Sequence, residues 1–207
     1  MTAQQLADMC RQGADLDTGR GAASINASAA IVNESGVIDT PCTVTIGDGA
    51  VVYIEKSQLT TADLTFDVPS GADSGRTVVI DNSTLTGKSG AGLIIRLRGD
   101  SDLLVVTGSG LNYPQTVQAG AQASVALVNV TLSSNSGDGS SQGILIASGA
   151  GAVFNAVTAS TDSSSQSRQA LLVAEYCTFI AVTGTTGSCH FGSNGSPATL
   201  VTPSPTP

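Results

Sequence analysis

An all-β chain wound as a parallel β-helix (solenoid) of about six to seven turns, with a short N-terminal capping helix, is the fold these 207 residues predict. Three observations predict it. A strand-corner-strand unit, best seen in "VVIDNSTLTG" (78–87), returns at intervals of ~20–27 residues, a period that signals a solenoid. The core supply is small aliphatic residues, with no Trp and only four Phe and three Tyr, which suits a narrow, regularly stacked interior. No 3.6-residue apolar period of useful length runs between the copies, which excludes helical and leucine-rich repeat arrays.

The N-terminal element comes first. In "TAQQLADMCRQG" Thr2 and Gln5 have the spacing of a capping box, Leu6, Met9 and Cys10 share one helical face, and Gly13 stops the helix. Residues 1–13 thus form a lid, residues 14–196 the β-helix, and residues 197–207 a Pro/Thr/Ser-rich tail or linker. Copies of the repeat begin at residues 54 ("IEKSQL"), 80 ("IDNSTL"), 127 ("LVNVTL"), 154 ("FNAVTA") and 174 ("AEYCTF"). The long gap between the second and third divides into two steps of 23 or 24, with residues 93–108 supplying the missing copy. Gly, Ser, Asn and Asp gather between copies as turn residues. Within the central copy Ile80 and Leu85 face inward and Asp81 outward, by strand alternation.

Cys10 and Cys42 lie near one end of the chain, Cys177 and Cys189 near the other. Three pairings are formally open. In an elongated fold the ends are tens of ångströms apart, whereas a disulfide needs Cα atoms within about 7 Å. The expectation is Cys10–Cys42 and Cys177–Cys189, each closing an end, in an oxidising, extracellular setting. No C-x-x-C spacing occurs, so no metal site is expected. The net charge of −8 and the lack of a basic stripe argue against nucleic acid. No apolar run approaches the ~18 residues of a membrane span.

The repeat, an aliphatic pair, a polar residue, a corner Asn or Ser, then an aliphatic and Gly, resembles that of right-handed parallel β-helices of the pectin-lyase-like type, over about residues 36–192. The resemblance implies a corner ladder of stacked asparagines, which Asn82 and Asn129 fit, while the other copies carry Lys56, Ala156 and Tyr176. It also implies a polysaccharide-degrading ancestry. Yet the enzymes' motifs "NTD", "DD", "GHG" and "RIK" are all missing, so the chain resembles a non-catalytic member.

Chemistry-bearing residues are few. "RLRGDSD" places Arg96, Arg98, Asp100 and Asp102 on one face of an extended strand, a charged stripe in a charge-poor chain and a candidate recognition surface. It contains the Arg98-Gly99-Asp100 tripeptide used by integrin ligands, here among strands rather than on a presented loop. His190 is the only histidine, so no Ser–His–Asp site can form without it. Five sequons, at Asn26, Asn33, Asn82, Asn129 and Asn194, exceed the roughly two that composition predicts and suit a secreted glycoprotein. Threonine pairs in "TVT" (43–45) and "TGTT" (183–186) resemble the arrays of ice-binding solenoids but do not recur at the repeat period. The function expected is an extracellular structural or adhesive module without cofactor or catalytic residue. Its expected partners are carbohydrate or cell-surface components, with head-to-tail self-association as a further expectation. The alternative is a degenerate polysaccharide lyase or hydrolase.

Overall fold

The computed structural model describes residues 1–67, 75–88, 91–99, 101–112 and 123–131 with their side chains. It describes 115–119, 132–134 and the later strands as backbone. Helix α1 spans Ala3–Gln12. Its start is the reciprocal cap the sequence predicts: Thr2 Oγ1 accepts from the Gln5 amide at 3.0 Å, and Gln5 Oε1 accepts from the Thr2 amide at 2.7 Å. Its end is Gly13, whose amide donates to Met9 O at 3.0 Å. The apolar face carries Ala3, Leu6, Ala7 and Cys10, all buried, and it covers the first coil of the solenoid. Cys10 and Cys42 are joined by a disulfide, fastening this lid to the second coil.

The solenoid is built of three-strand coils. The first four are β1–β3 (Gly21–Ile25, Ala29–Val32, Ser35–Ile38), β4–β6 (Cys42–Ile46, Val51–Glu55, Gln58–Thr61), β7–β9 (Leu64–Asp67, Thr77–Asp81, Thr84–Gly87) and β10–β12 (Leu93–Leu97, Leu103–Thr107, Gly110–Asn112). The series continues through β13–β15 (Gln115–Ala119, Ser124–Val128, Thr131–Ser134), β16–β18 (Ile144–Ile146, Gly151–Asn155, Thr158–Thr161), β19–β21 (Leu171–Val173, Cys177–Ile180, Thr183–Gly184) and β22–β23 (His190–Phe191, Thr199–Val201). Every third strand stacks in parallel on the last: β1-β4-β7-β10-β13 make one wall, β2 through β23 an eight-stranded second, and β3 through β21 a seven-stranded third. Strands β16, β19 and β22 form a separate three-stranded sheet, and β16 lies against β13.

Alternation decides the core. In β8, Val78 and Ile80 are buried while Thr77, Val79 and Asp81 look outward, and Leu85 of β9 is buried. Register then stacks like on like. Ile31, Ile54, Ile80, Val106 and Leu127 lie one above another, none more than 1% exposed. Ala23, Val44, Phe66 and Ile95 form the matching column from the first wall. Among the described residues Phe66 is the one buried aromatic ring, in keeping with the aromatic-poor composition.

The register also corrects the repeat read from sequence. The column Ile31, Ile54, Ile80, Val106, Leu127 continues in backbone register at residues 154 and 179, in steps of 23, 26, 26, 21, 27 and 25 residues. A copy around Ile31 precedes the first one found by pattern. The 47-residue gap divides unequally, and Phe179 rather than Ala174 pairs with Phe154. Ala156 and Tyr176 lie outside the described residues. The cause is physical: loops between walls lengthen or shorten freely, whereas strand register inside the core does not.

The corner between the second and third walls is where each coil is locked. Asn33, Lys56, Asn82, Gly108 and Asn129 all have positive φ, between 45° and 55°. Only Gly takes this conformation freely, and Asn tolerates it best among the others. The amides of the first four donate to the coil above: Asn33 to Glu55 O, Lys56 to Asp81 O, Asn82 to Thr107 O and Gly108 to Val128 O, at 2.9–3.0 Å. These side chains are exposed, so the inward polar ladder is not asparagine. It is the next residue, Ser57, Ser83 and Ser109, each at most 4% exposed. The Ser83 hydroxyl donates to Asp81 O at 2.7 Å and accepts from the Ser57 amide at 3.1 Å. Ser109 repeats this with Thr107 O at 2.6 Å and the Ser83 amide at 3.0 Å. The buried amide of one coil is thereby satisfied by the hydroxyl of the next.

Two substitutions test this corner by urea unfolding. Ser83→Ala strands the Ser57 amide and is expected to cost ~1–3 kcal/mol, against ~0.5 kcal/mol or less for the exposed neighbour Thr84→Ala. Equal costs would refute the ladder. Lys56→Asn relieves a strained backbone and is expected to raise stability by ~0.5–1 kcal/mol, outweighing loss of the exposed Lys56–Glu55 pair.

Candidate functional surface

The described inward positions are filled by packed aliphatic side chains, and the three outward faces differ. On the first wall the outward columns are Ala22, Thr43, Thr65, Ile94 and Ser24, Thr45, Asp67, Arg96. "TVT" lies here, and its second column ends in charge. On the second wall the columns include Tyr53, Val79, Val105 and Ala126, beside Glu55, Asp81, Thr107 and Val128. Tyr53 has its hydroxyl pKa raised by desolvation first, then by Glu55 and Asp81, so the phenol stays neutral well above pH 7.

The third wall is different. Its outward columns are Ser35, Gln58, Thr84, Gly110, Thr131 and Val37, Thr60, Thr86, Asn112, the last in backbone register with residue 133. Register carries them on to Thr158, Thr183 and Ser160. Of the nine outward positions described with side chains none is charged, and five are Ser or Thr. Asn112 Nδ2 donates to Thr86 Oγ1 at 3.5 Å along one column. Over the first coils a shallow depression of about 420 Å³ lies on this face, lined by Ser35, Gln58, Thr60, Thr84 and Thr86 among others. Among the described residues threonine stands on adjacent coils of this wall only at Thr60 and Thr86, so no threonine array recurs at the repeat period.

The charged stripe predicted from "RLRGDSD" is not assembled. Arg96 and Arg98 do alternate outward, and Arg98 Nη2 stands 3.0 Å from Asp67 Oδ1. Asp102 turns inward and is 1% exposed, where its carboxylate accepts from the Gly99 amide at 2.6 Å and the Arg76 amide at 3.1 Å. The extended-strand assumption fails because β10 ends at Leu97, and a turn through Gly99 follows. Asp100 lies outside the described residues, as do Asn194 and Cys189; Cys177 lies in β20 and His190 in β22. Among the described residues no group of three His, Cys, Asp or Glu could hold a metal, and no helix is long and apolar enough to cross a membrane.

Of the sequon asparagines, Asn26, Asn33, Asn82 and Asn129 are exposed. Three of them are the positive-φ corner residues, and each is followed two positions later by the outward Ser or Thr that opens a third-wall strand. The excess of sequons thus follows from the corner geometry alone. Comparison with protein-family models, curated proteins and solved structures gives no match.

Asp102→Ala is expected to cost ~2–4 kcal/mol in urea unfolding, since it leaves two buried amides without their acceptor. Arg98→Ala, which breaks a half-exposed pair, is expected to stay within ~1 kcal/mol. The reverse order would restore the surface stripe.

Proposed function

We propose that this protein is an extracellular, non-enzymatic β-solenoid module of structural or adhesive kind, whose walls meet carbohydrate or other cell-surface components. The observation that carries the reading is the Cys10–Cys42 disulfide clasping an amphipathic lid over the first coil. Disulfides persist in oxidising compartments, and an end so sealed protects strand edges that would otherwise pair at random. A rigid column with long uninterrupted faces suits display and attachment. The lyase-type alternative loses support with Asp102, one of the four residues that motivated it, since its carboxylate is committed to backbone amides. Head-to-tail assembly meets α1 at one end. At the other, Thr199–Val201 pairs with β20 of its own chain, so any added strand must dock beside β23.

The test is intact mass of protein from its native source, before and after reduction and deglycosylation, beside incubation with pectin and alginate with and without calcium. An oxidised Cys10–Cys42 pair and undegraded polymers are the expected result. Free thiols at both cysteines would move the protein to a reducing compartment, and polymer cleavage would replace adhesion by catalysis.

A further inference from the structure

We propose that the second wall joins two copies of this chain side by side. Its central outward column is Ala30, Tyr53, Val79, Val105 and Ala126, apolar or aromatic on five consecutive coils. Val51 and Leu103 flank it on one side, Val32 and Val128 on the other, and Val32 is 38% exposed. Of the fourteen outward positions described on this wall nine are aliphatic or Tyr, and none is a cation. At ~3.3 Å per residue and ~4.8 Å per strand these five coils cover roughly 400 Å². An apolar patch of that size on a soluble protein is often functional.

A second copy is the occupant this face fits in area and in charge. The sheet runs through eight strands, β2 to β23, so its footprint is roughly 16 by 38 Å, about 600 Å². Two such faces bury about 1,200 Å² together, above the ~1,000 Å² that a specific interface needs. A two-fold axis along the solenoid sets each coil against its own copy. Val79 then meets Val79 of the second copy and Val105 meets Val105, while the column of Glu55 and Asp81 lies opposite the column of Val51 and Thr77. No acid faces an acid. Both acids are also answered within their own chain, Glu55 by Lys56 Nζ at 2.8 Å and Asp81 by the Thr107 hydroxyl. Tyr53 keeps its phenol neutral and so enters the contact without a charge to desolvate. A polysaccharide would find one ring to stack on in a column otherwise of Val and Ala, and a polyanion would meet the two acids. Neither other wall qualifies: Asp67 and Arg96 put charge on the first, and Gln58 and Asn112 put amides on the third. The contact does not depend on the compartment or surface partner proposed above, and it leaves the first and third walls free.

Sedimentation equilibrium of the full chain in low and high salt tests this. The wild type is expected to fit a monomer–dimer equilibrium in the micromolar range, tightening as salt screens the net charge of −8 on each copy. Val79→Arg/Val105→Arg, which sets guanidinium groups against each other across the axis, is expected to weaken dimerisation by about tenfold or more. Thr60→Arg, on the third wall, is expected to leave it unchanged. Circular dichroism and thermal melting establish that each variant is folded. A wild type that stays monomeric near millimolar concentration overturns the proposal, as does a folded double variant that dimerises like the wild type. A dimer that salt loosens is held by ion pairs, which overturns it too. An open series of larger species, indifferent to the two valines, overturns it in favour of end-to-end stacking. Pelleting with microcrystalline cellulose runs in parallel. A monomeric wild type retained on cellulose through the same valines overturns the proposal in favour of a polysaccharide.

Discussion

Everything in this molecule depends on the corner between the second and third walls. There each coil reverses direction through one positive-φ residue and hands its amide to the coil above. A parallel solenoid has no hairpins to set its register, so register comes from whatever repeats from coil to coil. Here the repeating device is a buried serine whose hydroxyl closes its own corner and accepts the amide of the coil before it, through Ser57, Ser83 and Ser109. A slip of one residue would bury Asn82 or Thr84 in place of Ser83 and turn Ile80 to solvent. With the corner pinned, a side-chain period of two does the rest.

That constraint also shapes the surface. Because the corners absorb the backbone strain, the walls between them are plain strands whose outward residues are free to vary. They have varied separately. The first wall carries an Arg98–Asp67 pair, the second an apolar column with two acids, and the third two uncharged columns that mix hydroxyl, amide and apolar residues. The third wall begins immediately after the pinned serine.

The lid shows a second use of the same economy. A solenoid's first coil leaves its strands without a neighbour on one side and its core open. Helix α1 covers that opening with Ala3, Leu6 and Ala7, while Cys10 ties it to Cys42 on the coil below. The capping box at Thr2 and Gln5 matters because a ten-residue helix is marginal on its own and needs both its ends and its apolar face satisfied.

The sequence by itself determined the class of fold, the helix with its two caps, the Cys10–Cys42 pairing and the inward direction of Ile80 and Leu85. Each of these follows from local spacing, or from the simple fact that the two chain ends of a solenoid lie far apart. Only the tertiary structure decided the true step lengths, the serine ladder behind the exposed asparagines, the inward turn of Asp102 and the uncharged outward columns of the third wall. All four depend on which residues lie opposite one another in adjacent coils. Loops of unequal length separate those residues in the chain, so a fixed period read along the sequence misses them. Register in the core restores them, because the close-packed column from Ile31 to Leu127 admits one alignment only.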